Sequence, residues 1–369
     1  MKSLYEQVYE SLKEEIISAK YKIGDKIPSE NELAEAFQVS RITSKKALEM
    51  LVNEGFVYRQ RGKGTFVAKQ RSDNKGINHS LKMEKPLFGL IITSFTDSFG
   101  SGLIHYIEEE SDGKCFIVLK RSQGDPEREE RIVKELLDYG VDGLIIYPAH
   151  SEHYSSEILK MVVNKFPLVL IDRIFKGLGA TSVATDNQEA ALKGVNYLFE
   201  IGHEQIGVLM PVDYEMTSIE DRLTGIVNAY ADKQVKVNRD LWCYHIKSTL
   251  PIPKATGEED VEVIKEHIRT NPKMTALFAL EYNIAILAKT AVEQLGMKVP
   301  EDMSIICFDS PPQYDLEWRF THLKQNEEEL GRVAINRLLH MYQENNEIEK
   351  DRVSAMLKIG NSTKPLKIK

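Results

Sequence analysis

Residues Arg59 to Val67 read RQRGKGTFV, with three basic side chains and two glycines in the first six positions. Two structures use such a run: a loop that wraps a nucleotide phosphate, or a hairpin tip that reaches the phosphates of DNA. The phosphate loop needs G-x-x-x-x-G-K followed by Ser or Thr, between a strand and a helix. Here Gly64 follows Lys63, and the flanking stretches FVYRQR and TFVAKQ both favour strand. A dinucleotide fingerprint fails as well, because Val67 stands where its third glycine would be and no helix follows. The run therefore predicts a β-hairpin turning at Gly62-Lys63-Gly64.

The residues before the hairpin decide what it belongs to. Leu4, Val8, Leu12 and Ile16 recur at helical spacing with Tyr5, Tyr9 and Ile17 beside them, so an amphipathic helix opens the chain. Gly24 and Pro28 end it. In PSENELAEAF, Ser29 and Glu32 form a capping-box pattern ahead of Leu33, Ala34, Ala36 and Phe37. In VSRITSKKALEMLVNEGF, Ser40 is the cap, Ala47, Leu48, Leu51 and Val52 are the buried stripe, and Gly55 is the stop. Gln38 and Val39 leave only a tight turn between these two helices. On the second of them Arg41 and Lys45 share a face, flanked by Thr43, Ser44 and Lys46, in the first turns that a recognition helix presents to base edges. Helix, helix, tight turn, helix and hairpin together predict a winged helix-turn-helix.

Charge is distributed to match. The 369 residues carry a formal charge of −8, yet residues 41–71 hold eight basic residues against Glu49 and Glu54, a net of +6. A basic face on an acidic chain suits a DNA-binding module joined to a partner domain with another ligand. Cys115, Cys243 and Cys307 are far apart and read as buried free thiols, with no disulfide or zinc framework. The first residues show no export signal and no run reaches the length of a membrane span, so a cytoplasmic protein without membrane association is expected.

Gln70 to Lys85 is polar and aperiodic, and reads as a linker. Beyond it the apolar runs LFGLIITSF, CFIVLKR, VDGLIIYPA and FPLVLIDRIF alternate with helical stretches; IGVLMP, TALFAL and MSIICFDS then restart the alternation. Two α/β units in series with parallel sheets follow, and a ligand cleft is expected between them at the carboxyl ends of the strands.

The run IGDKIPSENELAEAFQVSRITSKKALEMLVNEGFVYRQRGKGTFV resembles the DNA-binding domain of the GntR family of bacterial transcription regulators, in its P-S-E, V-S-R, A-L-x-x-L, E-G and G-x-G-T-F-V positions. The resemblance implies phosphate contacts from Ser29 and Ser40, DNA-facing roles for Asn31, Arg41, Thr43 and Lys45, and a minor-groove role for Lys63 and Gly64. Read from the residues alone, Ser29 and Ser40 are caps, and capping and phosphate contact are compatible.

The second part is similar to the effector domain of the LacI/GalR family, which has the two-lobed periplasmic-binding-protein-like fold. The similarity rests on VDGLII, LIDR, VATDN, IGHEQIGVL, DRLTGI, TALFALEYNIAILA, VPEDMSIICFDS, THLKQ and GNSTK. It implies a sugar cleft lined by Asp172, Arg173, Arg222, Glu281, Tyr282, Asp309 and Gln325, with Phe99 as an aromatic wall. Asp172 and Arg173 also admit a purely local salt bridge. The organisation expected is a winged helix-turn-helix (α+β) over residues 1–70, a linker over 71–85 and a two-lobed α/β body over 86–369. Lobe 1 then takes about 86–184 and 327–350, and lobe 2 about 186–323 and 352–369.

No G-x-S-x-G elbow, H-E-x-x-H or phosphate loop is present in the sequence, and His150 and His153 read as a solvated loop with no third ligand nearby. An enzyme, a metal site and a cofactor are therefore not expected. The expected function is a ligand-controlled transcription regulator, a homodimeric repressor with double-stranded operator DNA and a small sugar as partners. Arabinose is one of several possible sugars. A co-repressor mode is the alternative, and a cytoplasmic sugar-binding enzyme a weaker one.

Overall fold

Helix α1 (Leu4–Ile17) buries Val8, Tyr9, Leu12 and Ile16, the stripe set by its spacing, against the two helices that follow. These are α2 (Glu30–Ala36) and α3 (Arg41–Asn53), and the strands β1 (Val57–Gln60) and β2 (Gly64–Val67) complete the N-terminal unit. Leu12, Ile27, Leu33, Leu48 and Leu51 meet in its core, each such side chain contributing about 1.5–3 kcal/mol on leaving water. Lys13 donates to both Tyr9 Oη and Glu54 Oε2, at 2.6 and 2.8 Å, and Tyr9 also donates to Glu54, which ties α1 to the end of α3. The chain was described from a computed structural model over residues 4–18, 20–22, 24–60, 64–68, 85–94, 99–150, 154–175, 177–212, 216–309, 318–343 and 347–366. It divides into two compact units, Met1–Lys82 and Met83–Lys369. The expected linker falls outside the described residues except for Lys85.

The second unit contains two six-stranded sheets. The first takes β3 (Leu87–Ile92), β4 (Phe116–Arg121), β5 (Gly143–Ile146), β6 (Leu168–Ile171) and β7 (Thr181–Thr185), with α4 (Ser101–Ser111), α5 (Pro126–Tyr139) and α6 (Ser156–Val163) between them. Its central strands β3, β5 and β6 are apolar along most of their length because helices cover both faces: Leu103, Ile107 and Leu330 lie on one, Val133, Leu136 and Met161 on the other.

The second sheet is built from β8 (Ile206–Pro211), β9 (Trp242–Ile246), β10 (Ala276–Ala279), β11 (Ser304–Phe308) and β12 (Thr321–Lys324). Its helices are α7 (Asn187–Glu200), α8 (Thr217–Asp232), α9 (Gly257–Thr270) and α10 (Tyr282–Gln294). The chain then returns to the first lobe through α11 (Glu327–Tyr342) and β13 (Lys350–Val353), and ends in the second with β14 (Met356–Lys358).

The sheet orders are β13-β7-β6-β5-β3-β4 and β14-β12-β11-β10-β8-β9, the same order twice, but the last strand differs: β13 runs parallel to β7, whereas β14 runs antiparallel to β12, so the second sheet is not wholly parallel as expected. Three crossovers therefore join the lobes, at Asp186, at Gln325–Asn326 and at Ser354–Ala355. Because β13 pairs with β7 through Val353 opposite Thr185, the last crossover lies just beyond the position expected for it. Apolar runs do not single out β7, β9, β12, β13 or β14. These strands are short or carry polar residues.

Candidate functional site

In the N-terminal unit the capping box is complete: Glu32 N–H donates to Ser29 Oγ at 3.4 Å, and Ser29 N–H donates to the Glu32 carboxylate at 2.7 Å. The Ser29 N–H, and after it the Ser29 side chain, hold the Glu32 carboxyl below its usual range. Ser40 caps α3 in turn, accepting from Thr43 N–H at 3.1 Å with its hydroxyl 2.8 Å from that of Thr43. Ser44, fully buried, donates to the Glu30 carbonyl at 2.7 Å and fixes α2 against α3. Asn31, Arg41 and Lys45 are exposed, and Thr43 is half-buried beside them.

Glu30, not foreseen from the sequence, is the organiser of the basic face. Its carboxylate takes Arg41 Nε at 3.4 Å and Arg59 Nη2 at 3.2 Å, so one acidic side chain aligns an arginine of α3 with one of β1. Lys63 lies outside the described residues. Gly64 was expected in the turn but is the first residue of β2, paired with Gln60. Its φ of 128° is why glycine is favoured there.

The structure brings all eight cleft residues to one cavity of about 140 Å³ in the second unit: Phe99, Asp172, Arg173, Arg222, Glu281, Tyr282, Asp309 and Gln325. Phe99 lies in the loop just before α4, and each of the others stands at or just past a strand end, in a crossover, or on the first turns of a helix. Arg222 is set one turn into α8 and is 5% exposed. Its Nε donates to Asn187 Oδ1 at 2.8 Å, its Nη1 to the Leu280 carbonyl at 2.5 Å, and its guanidinium lies 3.8 Å from the centre of the Phe308 ring. Gly225 makes this possible, since a Cβ there would overlap the Gln188 carbonyl and push α8 away from α7. Gln325 donates to Asp309 Oδ1 at 2.5 Å and accepts from the Thr185 hydroxyl at 2.6 Å, linking two crossovers to the cleft.

In lobe 1, Arg173 Nη1 donates to the Pro148 carbonyl at 3.3 Å and its guanidinium lies over the Tyr147 ring at 4.8 Å. Arg173 Nε is 4.0 Å from Asp172 Oδ2, an ion pair without a hydrogen bond, so this buried donor still lacks an acceptor among the described residues. A ligand oxygen would satisfy it. Burial pushes the Asp309 carboxyl up to about 6, although Arg222 and Gln325 pull it down. Burial and the neighbouring Asp309 push Glu281 up to about 7 against both arginines.

Sequence reading missed Tyr147, Asn187 and the segment Thr249–Pro251, all of them in or against the cleft. Tyr147 directly follows β5 and was open to the rule that strand ends line such clefts. The 249–251 segment carried no such mark. Among the described residues no group of three His, Cys, Asp or Glu side chains could hold a metal, and no helix is long and apolar enough to cross a membrane.

A winged helix-turn-helix with a basic recognition face, followed by a doubly wound two-lobed module with a polar cleft, defines a two-module DNA-binding regulator. Residues 4–67 match the bacterial regulatory proteins of the gntR family, and residues 195–363 the periplasmic binding protein-like domain. The chain thus joins a gntR-family head to a periplasmic-binding-protein-like body. It is 26% identical to the arabinose metabolism transcriptional repressor of Geobacillus stearothermophilus, over 92% of this chain and 91% of that one. The ribose operon repressor of Haemophilus influenzae is 24% identical over 76% and 82% of the two chains. Among solved structures, a transcriptional regulator CelR–cellobiose complex has the same fold, with a TM-score of 0.64 and 20% identity over 88% of this chain and 92% of that one. A LacI family transcriptional regulator from Enterococcus faecium with bound ribose matches at a TM-score of 0.63 and 22% identity, over 76% of this chain and all of that one.

Proposed function

We propose that this chain is a sugar-responsive transcription repressor whose cleft binds a small carbohydrate and whose winged head binds operator DNA. The observation that carries the reading is the pairing of acceptors and donors in one cleft. Asp172 and Asp309 offer carboxylates, Arg173 and Arg222 offer guanidinium donors, and Phe99, Tyr147 and Tyr282 supply aromatic surface. A polyol needs that mixture, because each hydroxyl both donates and accepts while the C–H face of the ring is apolar. Asp172 and Arg173 belong to lobe 1, Arg222 and Asp309 to lobe 2, so one ligand bridging them favours the closed arrangement of lobes.

The repressor acts as a homodimer in the cytoplasm, its two recognition helices reading a palindromic site. Sugar binding biases the dimer towards a state with weaker operator affinity. The cleft is assigned to binding rather than turnover.

A fluorescence-anisotropy titration of operator DNA against a panel of pentoses, hexoses and disaccharides tests the reading. One sugar class is expected to release the DNA, and calorimetry with Arg222→Ala is expected to show at least tenfold weaker sugar binding. Tighter DNA binding with sugar would replace release by co-repression. Conversion of the bound sugar to a product would overturn the assignment to binding.

A further inference from the structure

Ile42, the second residue of α3, leaves 80% of its surface in solvent, more than any other large apolar side chain among the described residues. It is absent from the core of the N-terminal unit, whose α3 members are Ala47, Leu48 and Leu51, with Met50 and Val52 packed against them. Folding does not explain it: a β-branched residue is a mediocre helix former, and a polar side chain would suit an exposed first turn better.

Its surroundings do. Ile42 lies between Arg41, whose side chain is 70% exposed, and Thr43, and shares a stripe with Lys45 and Lys46 three and four residues on. An apolar group inside a basic helix end has no partner among phosphates. The major groove, however, offers one apolar group on its floor, the C5 methyl of thymine.

We propose that Ile42 is a base-reading residue that packs on a thymine methyl and so sets operator sequence. The proposal rests on the reading of the head as DNA-binding, and adds a specificity element that the charged residues of α3 cannot supply. Arg41 and Lys45 hydrogen-bond and neutralise charge; Ile42 excludes water from one methyl.

The test starts with selection of the preferred DNA from a random pool by the full chain. Each thymine of the selected site is then replaced singly by uracil, which lacks only the methyl. The parent protein is expected to bind about fourfold more weakly at one such position in each half-site. Ile42→Ser, a change at a side chain outside the core, is expected to bind the thymine and uracil forms equally there, with its affinity for unrelated DNA unchanged. Two outcomes would overturn the proposal while leaving DNA binding intact: no thymine whose methyl matters, or the same discrimination in Ile42→Ser. A changed oligomeric state in Ile42→Ser with discrimination retained would assign the side chain to a contact between copies of this chain, and also overturn it. Failure of the selection to enrich any sequence would instead remove the DNA-binding reading itself, before any uracil is introduced.

Discussion

Asp172 and Asp309 occupy the same station in the two lobes. Each is the first residue past the third strand of its sheet, β6 or β11, and each has a left-handed backbone, with φ of 64° and 78°. Each N–H donates to the neighbouring strand, Asp172 to the Val183 carbonyl at 2.9 Å and Asp309 to the Leu323 carbonyl at 3.1 Å. The repeated bend turns one carboxylate from each lobe into the cleft. Asp tolerates this conformation better than most residues, at a cost of order 1–3 kcal/mol.

Strain and charge at Asp309 can be separated by three variants. Asp309→Asn keeps a side chain suited to left-handed backbone and is expected to unfold near the parent temperature while losing about tenfold or more in sugar affinity. Asp309→Ala is expected to be about 1 kcal/mol less stable than Asp309→Gly in thermal unfolding. Equal stability of the Ala and Gly forms would show that the backbone there is unstrained.

The rims of the two lobes touch at one small residue. Gly124, in the loop after β4 with φ of 71°, lies so close to Pro251 of the second lobe that an added Cβ would overlap the proline ring. Gly124→Ala is therefore expected to hinder closure and weaken sugar binding several-fold, with operator affinity without sugar retained. The double variant Gly124→Ala, Pro251→Gly should recover part of the loss. Calorimetry showing the single and double variants equally weak would place the defect in the loop itself.

Glu129 on α5 is 3% exposed and accepts the Ala149 N–H at 2.7 Å. Burial nevertheless raises its carboxyl from 4.5 to about 7, with Ala149 and Arg173 recovering only part. A folded value above the unfolded one means that the folded chain keeps a proton which the unfolded chain releases. The contribution is favourable and complete below about 4.5, and is lost as pH rises through about 7, on the order of 3 kcal/mol in all. Glu129→Gln should match the parent in thermal unfolding at pH 4.5 and exceed it at pH 8. A parent whose advantage or deficit is the same at both values would exclude Glu129 as the source.

Arg41 is the α3 side chain best suited to a bidentate bond with guanine, and Glu30 holds it beside Arg59. Arg41→Ala is expected to cost about 1–3 kcal/mol of discrimination between specific and mismatched sites. Competition binding at fixed salt measures this, and an unchanged specificity ratio would move Arg41 to a purely electrostatic role.

Much of this was legible before any tertiary structure. Caps at Ser29 and Ser40, the stripe through Leu12 and the antiparallel pairing of β1 with β2 are local features, and spacing along the chain is enough to specify them. The cleft residues were implied, position by position, by the similarity to the LacI/GalR effector domain, and several of them stand at strand ends, where a doubly wound sheet binds its ligands. The roles of Glu30, Asn187 and Tyr147 were less visible, because each depends on what it meets. Asn187 matters through Arg222, 35 residues away, and Glu30 through Arg41 and Arg59, 11 and 29 residues away.

By itself, then, the sequence determined the two modules and the basic face of α3, since periodicity, capping and charge are properties of neighbouring residues, while the cleft residues were legible only through the similarity to a known family. Only the tertiary structure decided that one carboxylate aligns two arginines, that Asp172 and Asp309 are counterparts in two sheets, and that Ile42 has no place in any core. Those facts depend on distances between residues far apart in the chain, which packing alone sets.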